Sequence, residues 1–428
     1  MATMKLRLWT LILCLGLATS EADALHCPVD IGIKGLGGRM VDSSISRGQG
    51  NTASNGSTGF IEQGIFQQSL RDSIAFYTDN STQTAIWEAY LQHSLESAVE
   101  SLSNATAAAG LPLDRLSIGT NMIHQYRRTK DETFLPAICA LSQSLVLQEQ
   151  NANGGLWYYA NRKNISAYQN LSYVDGMYSY PAYAILTSPN STNDTAVSRV
   201  GDRFGAAAAF EQLEILRNIT QRSDGLLLHG YDAIKNHTWA DPTTGASPEV
   251  WARAQAWYTI GTLEALESLL SAGNTGDDFE AIKAIFIGLV RAQIRASGKS
   301  LSITGTYGVW QVVDQPGASF NGYENFIETS SSCMTAYALL KAVRLGILQD
   351  ETLASQALDT GLGMYQSVLR GSLIHNGNGT LSLNGTSSVA SLSGNVSAQY
   401  YVTRPTVLNS LIGTSAFTLA SLEVERIC

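Results

Sequence analysis

The sequence is short of charge, of histidine and of cysteine, and each shortage closes off a class of function. Charged residues make up 15% of the 428, where an average soluble domain has about 25%. Acids outnumber bases to give a net charge of −9, which argues against nucleic acid and against an anionic membrane surface as partners. A site for an anionic ligand would have to be a local patch of positive groups. The six histidines form no H-x-x-x-H pair and the cysteines show no metal-ligand spacing, so neither a metal nor a cofactor is expected. Beyond the N-terminal segment, no apolar run approaches the roughly 20 residues that span a bilayer. No Pro-rich hinge, linker or charge block divides the chain.

What is present begins with an export signal. Lys5 and Arg7 precede an apolar run from Leu8 to Leu17, and Ala22-Asp23-Ala24 offers a small-residue cleavage site. The run is too short for a membrane span. It reads as a signal peptide over residues 1–24, ahead of one mature domain at 25–428 in a secreted, extracellular protein. Asn55, Asn80, Asn104, Asn164, Asn170, Asn190, Asn193, Asn218, Asn236, Asn378, Asn384 and Asn395 each begin an N-x-S/T triplet. That density suits N-glycans, which would supply the solubility that charge supplies elsewhere. Cys14 leaves with the leader, and Cys27, Cys139, Cys333 and Cys428 remain, with about three possible pairings.

Helical periodicity fills the rest. Leu91, Leu95, Ala98, Val99 and Leu102 fall on one face, and Cys333, Ala336, Tyr337 and Leu340 repeat the spacing. Similar segments recur near 115–128, 134–148, 198–217, 250–270, 278–296, 352–370 and 407–424. Loops rich in Gly, Asn and Ser separate them, such as Asn151–Gly155 and Asn376–Gly379. Strand-like alternation is scarce, with Leu226–Tyr231 and Val309–Val313 as candidates for local pairing. No motif repeats at constant period, which disfavours a solenoid. A closed double ring of helical hairpins is the better reading. It is all-α, with adjacent termini and with loops gathered on one open face. In such a ring Cys27 and Cys428 could bridge.

Four segments concentrate acids, His, Arg and Trp. Asp114, in Leu113-Asp114-Arg115, opens a helix and taken alone is a cap or first-turn acid. Asp175, in Tyr173-Val174-Asp175-Gly176-Met177-Tyr178, sits in a turn pair. The flanking aromatics also suit a sugar site, because they raise a carboxyl pKa and stack on pyranose faces. The third segment holds His229-Gly230-Tyr231-Asp232, Trp239-Ala240-Asp241, and Ser247-Pro248-Glu249 running on to Tyr258. Ser247 and Pro248 read as a helix cap and first helical residue. Arg253 and Trp257 then lie at i, i+4 and can point together, a guanidinium for a carboxylate and an indole to stack on a ring. The simpler account is a core tryptophan beside a surface arginine. Glu328-Thr329-Ser330-Ser331-Ser332-Cys333-Met334 could be only a capping segment before an apolar helix.

Taken in order, these segments resemble the unsaturated rhamnogalacturonyl hydrolases of glycoside hydrolase family 105 and the related unsaturated glucuronyl hydrolases of family 88. The resemblance runs from Phe60 to Glu423. It rests on L-D-x-x-x-x-G, x-D-G-x-Y, H-G-Y-D with W-A-D, S-P-x-x-W-A-R-A-x-x-W-Y, and E-T-S-x-S-x-M-x-A-Y. It implies an (α/α)6 barrel, a six-hairpin toroid, acting on the unsaturated uronic acid that a lyase leaves at the end of a pectin fragment. In that chemistry the enzyme protonates C4 of the C4=C5 enol ether and water adds at C5. One carboxyl group then serves as acid and afterwards as base. By motif match that residue is Asp175, with Asp114 as second carboxylate and a raised Asp175 pKa expected from burial and from Asp114. The match puts His229, Arg253 and Trp257 against the sugar, and Trp157 on the pocket wall. Many relatives carry Trp two residues before the acid, where this chain has Tyr173. The sequons at Asn164 and Asn170 would frame the cleft with glycans.

Two other functions fit parts of the sequence. An endo-acting (α/α)6 hydrolase of the α-1,6-mannanase kind would need adjacent aspartates in a groove, and the only Asp-Asp pair, Asp277-Asp278, sits at an ordinary helix start. A non-catalytic carbohydrate-binding toroid would be expected to lack one motif acid, and none is missing. A preference for glycosaminoglycan fragments stays open beside the pectin reading.

Overall fold

The computed structural model describes residues 35–54, 56–159, 166–192 and 194–428. The expected signal peptide, Cys27 and the sequon asparagines at positions 55, 164 and 193 lie outside them. The described chain begins with α1 (Leu36–Ser46), α2 (Gly59–Phe76), α3 (Ser81–Leu102), α4 (Ala105–Ala109), α5 (Arg115–Thr129), α6 (Leu135–Val146) and α7 (Tyr180–Leu186). It continues through α8 (Ala206–Thr220), α9 (Ala252–Ser271), α10 (Asp277–Thr304), α11 (Thr329–Arg344), α12 (Glu351–Gly371), α13 (Ala398–Val402) and α14 (Leu411–Ile427).

Two rings result, as the periodicity implied. In the inner one α2 packs on α5, α5 on α7, α7 on α9, α9 on α11, α11 on α14, and α14 back on α2. Outside them α3, α6, α8, α10 and α12 each return along the helix that precedes them in the ring. The sixth hairpin joins chain segments far apart in sequence, because α1 packs against α14. The two ends of the described chain therefore meet. Cys428 follows α14 and is disulfide-bonded; Cys139 and Cys333 are free thiols, so its partner lies outside the described residues.

Burial follows ring position. On outer α12 only a stripe is buried, including Leu353, Ala357, Leu358, Leu362, Tyr365 and Val368, and on α3 Leu91, Leu95, Ala98 and Leu102 are buried with Val99 half-exposed. Inner helices have no solvent side. α11 is buried continuously from Thr329 to Ala342 and α9 from Ala252 to Leu263, so they read as helices buried all round rather than amphipathic ones. α10 opens at Asp277 with Asp278 and Glu280 in its first turn, where carboxylates favour the helix dipole.

Two expected helix starts fall elsewhere. The helix sought near 198 begins at Ala206, after Gly205 at φ 99°, a conformation open to glycine. Ser247 and Pro248 do not start α9, whose first residue is Ala252. Instead Ser247 donates its N–H to the Gly230 carbonyl, Val250 accepts from Val313, and Trp251 bridges to Val312. Satisfying the backbone sideways keeps this stretch extended until the ring position is reached. Both candidate strands pair: Leu227 bridges locally to Gln221, while Gly230–Asp232 lies antiparallel to the distant Leu171–Tyr173 and Val312 meets the distant Trp251.

One close approach sets the position of Asp175. The 3-10 turn Val174–Tyr178 lies against α9 at Gly261, and a methyl group there would run into the Met177 carbonyl. Glycine in a helix interior costs about 1 kcal/mol relative to alanine, so the contact, not the helix, requires it. Gly261→Ala is expected to lose about 1–3 kcal/mol of stability in urea denaturation, as overpacked cores do, with a loss of activity from displacement of the turn. A variant as stable as the parent would show that the turn accommodates the methyl.

Candidate active site

The inner helices all begin at one face. The first residues of α2, α9 and α14 line a cleft there, Asp114 and Glu328 precede α5 and α11, and the turn carrying Asp175 precedes α7. The innermost part is a cavity of about 40 Å³ whose walls include Asp175, Arg253, Trp251, Trp257, Tyr158, Tyr159 and Tyr173. Arg253 and Trp257 do share a face of α9 on this cavity. Trp257 packs against Tyr178 with ring centroids 4.6 Å apart.

The paired strands Leu171–Tyr173 and Gly230–Asp232 bring Asp175 and His229 together. Val174 N–H donates to the His229 carbonyl, and His229 Nε2 lies 3.2 Å from Asp175 Oδ2. The approach is off the angle of a hydrogen bond, so both atoms are buried without a hydrogen-bond partner. On the other side of the ring, His229 Nδ1 is 2.8 Å from the Tyr401 hydroxyl. Trp251 packs on His229 at 4.7 Å between centroids and stacks on Tyr401 at 5.8 Å. His229 is wholly enclosed and stands behind Asp175 rather than on the cavity wall.

Asp114 is placed similarly. It occupies the cap position of α5 but caps nothing. Its Oδ2 accepts the Tyr158 hydroxyl proton at 2.6 Å, while Oδ1 is buried without a hydrogen-bond partner. Burial pushes this carboxyl up to about 7; the Tyr158 hydrogen bond opposes the rise and the Asp175 carboxylate adds to it. Tyr158 in turn stacks on Tyr173, 4.6 Å between centroids and 9° from parallel. Tyr173 therefore forms part of the cavity wall.

Arg253 lies under the Trp251 ring, 4.9 Å from its centroid. Its fork donates to the carbonyls of Ser387 at 2.8 Å and Ser388 at 2.7 Å, with Glu328 at 3.4 Å. Glu328 does cap α11, accepting from Ser331 N–H, but it also accepts from the Ser330 and Ser331 hydroxyls and from Ser387 N–H. The segment expected to be a plain cap is thus the counter-ion of the site's arginine.

The family profile described as Glycosyl Hydrolase Family 88 matches residues 51–428. The chain belongs to that family. A 24.9 kDa protein of the picA locus in Rhizobium radiobacter is 33% identical over 222 residues, covering 50% of this chain and 88% of that one. A family 105 glycoside hydrolase of C. acetobutylicum superposes with a TM-score of 0.73 at 22% identity, over 91% of this chain and 99% of that one. The unsaturated glucuronyl hydrolase of Bacillus sp. GL1 gives 0.59 at 14% identity, over 92% and 96%. These two share the (α/α)6 ring.

Within this family 88 chain, Asp175, Arg253 and Trp257 face the cavity, and Asp114 and His229 support it from behind. Trp157 does not line it. Trp157 N–H donates to Glu149 and Tyr158 N–H to Leu171, and the wall at this point is formed by Tyr158 and Tyr159. Sequence reasoning missed Tyr158, Trp251 and Tyr401. Trp251 lay inside a recognised motif, whereas Tyr401 comes from a distant helix with no local signal.

The displaced Asp114 carboxyl makes stability depend on pH. A folded-state pKa raised above the ordinary 3.8 stabilises fully below the unfolded value and is lost as pH rises through about 7. Asp114→Asn keeps an acceptor for Tyr158 and does not titrate. Between pH 4 and pH 8 the parent is expected to lose stability relative to this variant by on the order of 4 kcal/mol, read from urea midpoints. Parallel pH profiles would mean that the carboxyl is not displaced.

Proposed function

We propose that this protein is a secreted glycosidase that releases the unsaturated uronic acid from the non-reducing end of pectin-derived oligosaccharides by hydrating its C4=C5 double bond. The observation that carries the reading is the pair of carboxyl groups, Asp175 on the cavity wall and Asp114 buried behind it with its acidity weakened. The fold-likeness to an unsaturated glucuronyl hydrolase supports it. Asp175 gives its proton to C4, and the resulting carboxylate takes a proton from the water that adds to C5. The hemiketal opens to a ketone, and the hemiacetal left at C1 expels the aglycone as an alcohol. Asp114, protonated below about 7, keeps negative charge from accumulating beside Asp175. Arg253 and the converging helix N-termini supply the positive field that the uronate requires.

Secretion and N-glycosylation belong to the same reading. Asn80, Asn104, Asn190, Asn218, Asn236, Asn378, Asn384 and Asn395 are exposed, and Asn170 is half-buried, so a glycosylation machinery could reach nearly all of these sequons.

Incubation with a lyase-generated unsaturated rhamnogalacturonan disaccharide is expected to abolish the ultraviolet absorbance of the double bond. Asp175→Asn should lower kcat by at least about 100-fold, the usual contribution of general acid–base catalysis. Unchanged absorbance with both this sugar and unsaturated glucuronyl disaccharides would end the assignment. Tyr401→Phe should keep the fold but shift the pH–rate profile, since it removes the hydroxyl that hydrogen-bonds His229 Nδ1; an unshifted profile would leave Tyr401 a packing residue.

A further inference from the structure

His237 stands outside the cavity wall, yet both of its ring nitrogens are committed. Nδ1 lies 2.8 Å from Asp232 Oδ2, and Nε2 lies 3.2 Å from the Ala167 carbonyl oxygen. The indole of Trp239 covers the ring at 5.0 Å between centroids, and only 19% of the side chain is exposed. Asp232 is wholly buried and also accepts from the N–H groups of Ile234, Asn236 and His237. Burial pushes this carboxyl up, but the hydrogen bonds, with that of the His237 ring first among them, outweigh it and hold it below the usual range. His237 therefore faces a carboxylate on one side and a carbonyl on the other, and both are acceptors.

Only the imidazolium can donate to both. Either neutral tautomer turns a lone pair toward one acceptor. Because the carboxylate is the stronger of the two, the remaining proton stays on Nδ1 and the Ala167 contact is the one lost. The other titratable groups of the loop, Lys235 and Asp241, are exposed. Tyr168 follows Ala167 in its turn; Arg162 and Lys163 precede that turn and lie outside the described residues. Trp239 donates its indole N–H to the Leu392 carbonyl at 2.9 Å, and the stretch from Ala390 to Asn395 carries no titratable side chain.

What the Ala167 contact holds is part of the site. The 3-10 turn Ser166–Tyr168 presents Tyr168 to the inner cavity, where its ring packs on Tyr159 at 4.3 Å between centroids. On the other side, Trp239 grips Leu392, beside Ser391 of the same cavity wall. We propose that His237 is a positioning residue: its imidazolium ties the 166–168 turn to the 232–237 loop and holds Tyr168 on the cavity wall, and loss of the ring proton releases that tie. Histidine is the side chain that gains and loses charge between about pH 5 and 8, so the wall is held on the acid side of that range. The consequence for substrate rests on the preceding reading; the tie itself does not.

Hydrogen–deuterium exchange of a peptide spanning 166–173, corrected for intrinsic rates, is expected to show at least about tenfold more protection at pH 5 than at pH 8. His237→Gln places an amide N–H near the Nε2 position and should keep the protection at both pH values. His237→Asn reproduces only the Nδ1 donor and should lack it at both. Equal protection of the parent at the two pH values, or variants that behave alike, overturns the tie. With unsaturated disaccharide, the ratio of parent KM to His237→Gln KM is expected to rise at least about threefold from pH 5 to pH 8. The ratio of kcat values should stay constant, because the groups around Asp175 titrate alike in both proteins. A flat KM ratio overturns the part that the tie plays in substrate binding. If no unsaturated uronide is turned over, the functional reading fails, and the exchange experiment decides the tie separately.

Discussion

Glu328 accepts hydrogen bonds from the N–H groups of Ser331 and Ser387 and from the hydroxyls of Ser330 and Ser331, and it faces Arg253. It is wholly buried, at a depth where a lone carboxylate would cost several kcal/mol, and its oxygens are supplied with donors. Three separate parts of the chain depend on it: α11 through its cap, α9 through Arg253, and the strand Thr386–Ser387 through its backbone. These parts form the rim and floor of the cleft. A hydrophobic substitute could fill the same volume, but it could not orient a guanidinium beneath Trp251 or hold the 387–388 carbonyls against it.

The ring adds an electrostatic constraint of its own. Its six inner helices begin at the cleft, where the positive ends of their dipoles converge. An acidic chain with a net charge of −9 can thereby present a site suited to an anion with one arginine. The same geometry explains why the acids are buried where they are. Asp114 stands at a helix start without capping it; its own backbone is already helical there, and its Oδ2 is held by Tyr158 instead.

Much of this could be read from residues alone, and the failures have physical causes. Helical periodicity located the outer helices well, since a stripe facing the inner ring leaves a clear pattern. Inner α5, α9, α11 and α14 were located too, while α2 and α7 were not picked out. Ser247-Pro248 carried a good helix-start signal that tertiary backbone pairing overrode. Arg253 and Trp257 converge as their spacing requires. Trp157 stands next to the two residues, Tyr158 and Tyr159, that supply the wall. His229 was placed on the sugar, and only the fold shows Tyr401, 172 positions away, closing the space behind it.

That enclosure bears on the proposal that one carboxyl group acts twice. The Tyr401 hydroxyl can either donate to His229 Nδ1 or accept from it. Donation leaves Nε2 bearing its proton toward Asp175; acceptance leaves Nε2 with a lone pair. The first arrangement favours a carboxylate and the second a carboxylic acid, and the two differ only by small proton displacements. An arginine or lysine in place of His229 would favour the anion at every stage, and an apolar residue would favour the acid. On the proposed hydration chemistry, a group that carries a proton before C4 is attacked and is an anion when water adds needs a neighbour without a fixed preference. On the hydration reading, His229 backed by the Tyr401 hydroxyl and walled from water by Trp251 and Tyr173 meets that requirement without any conformational change.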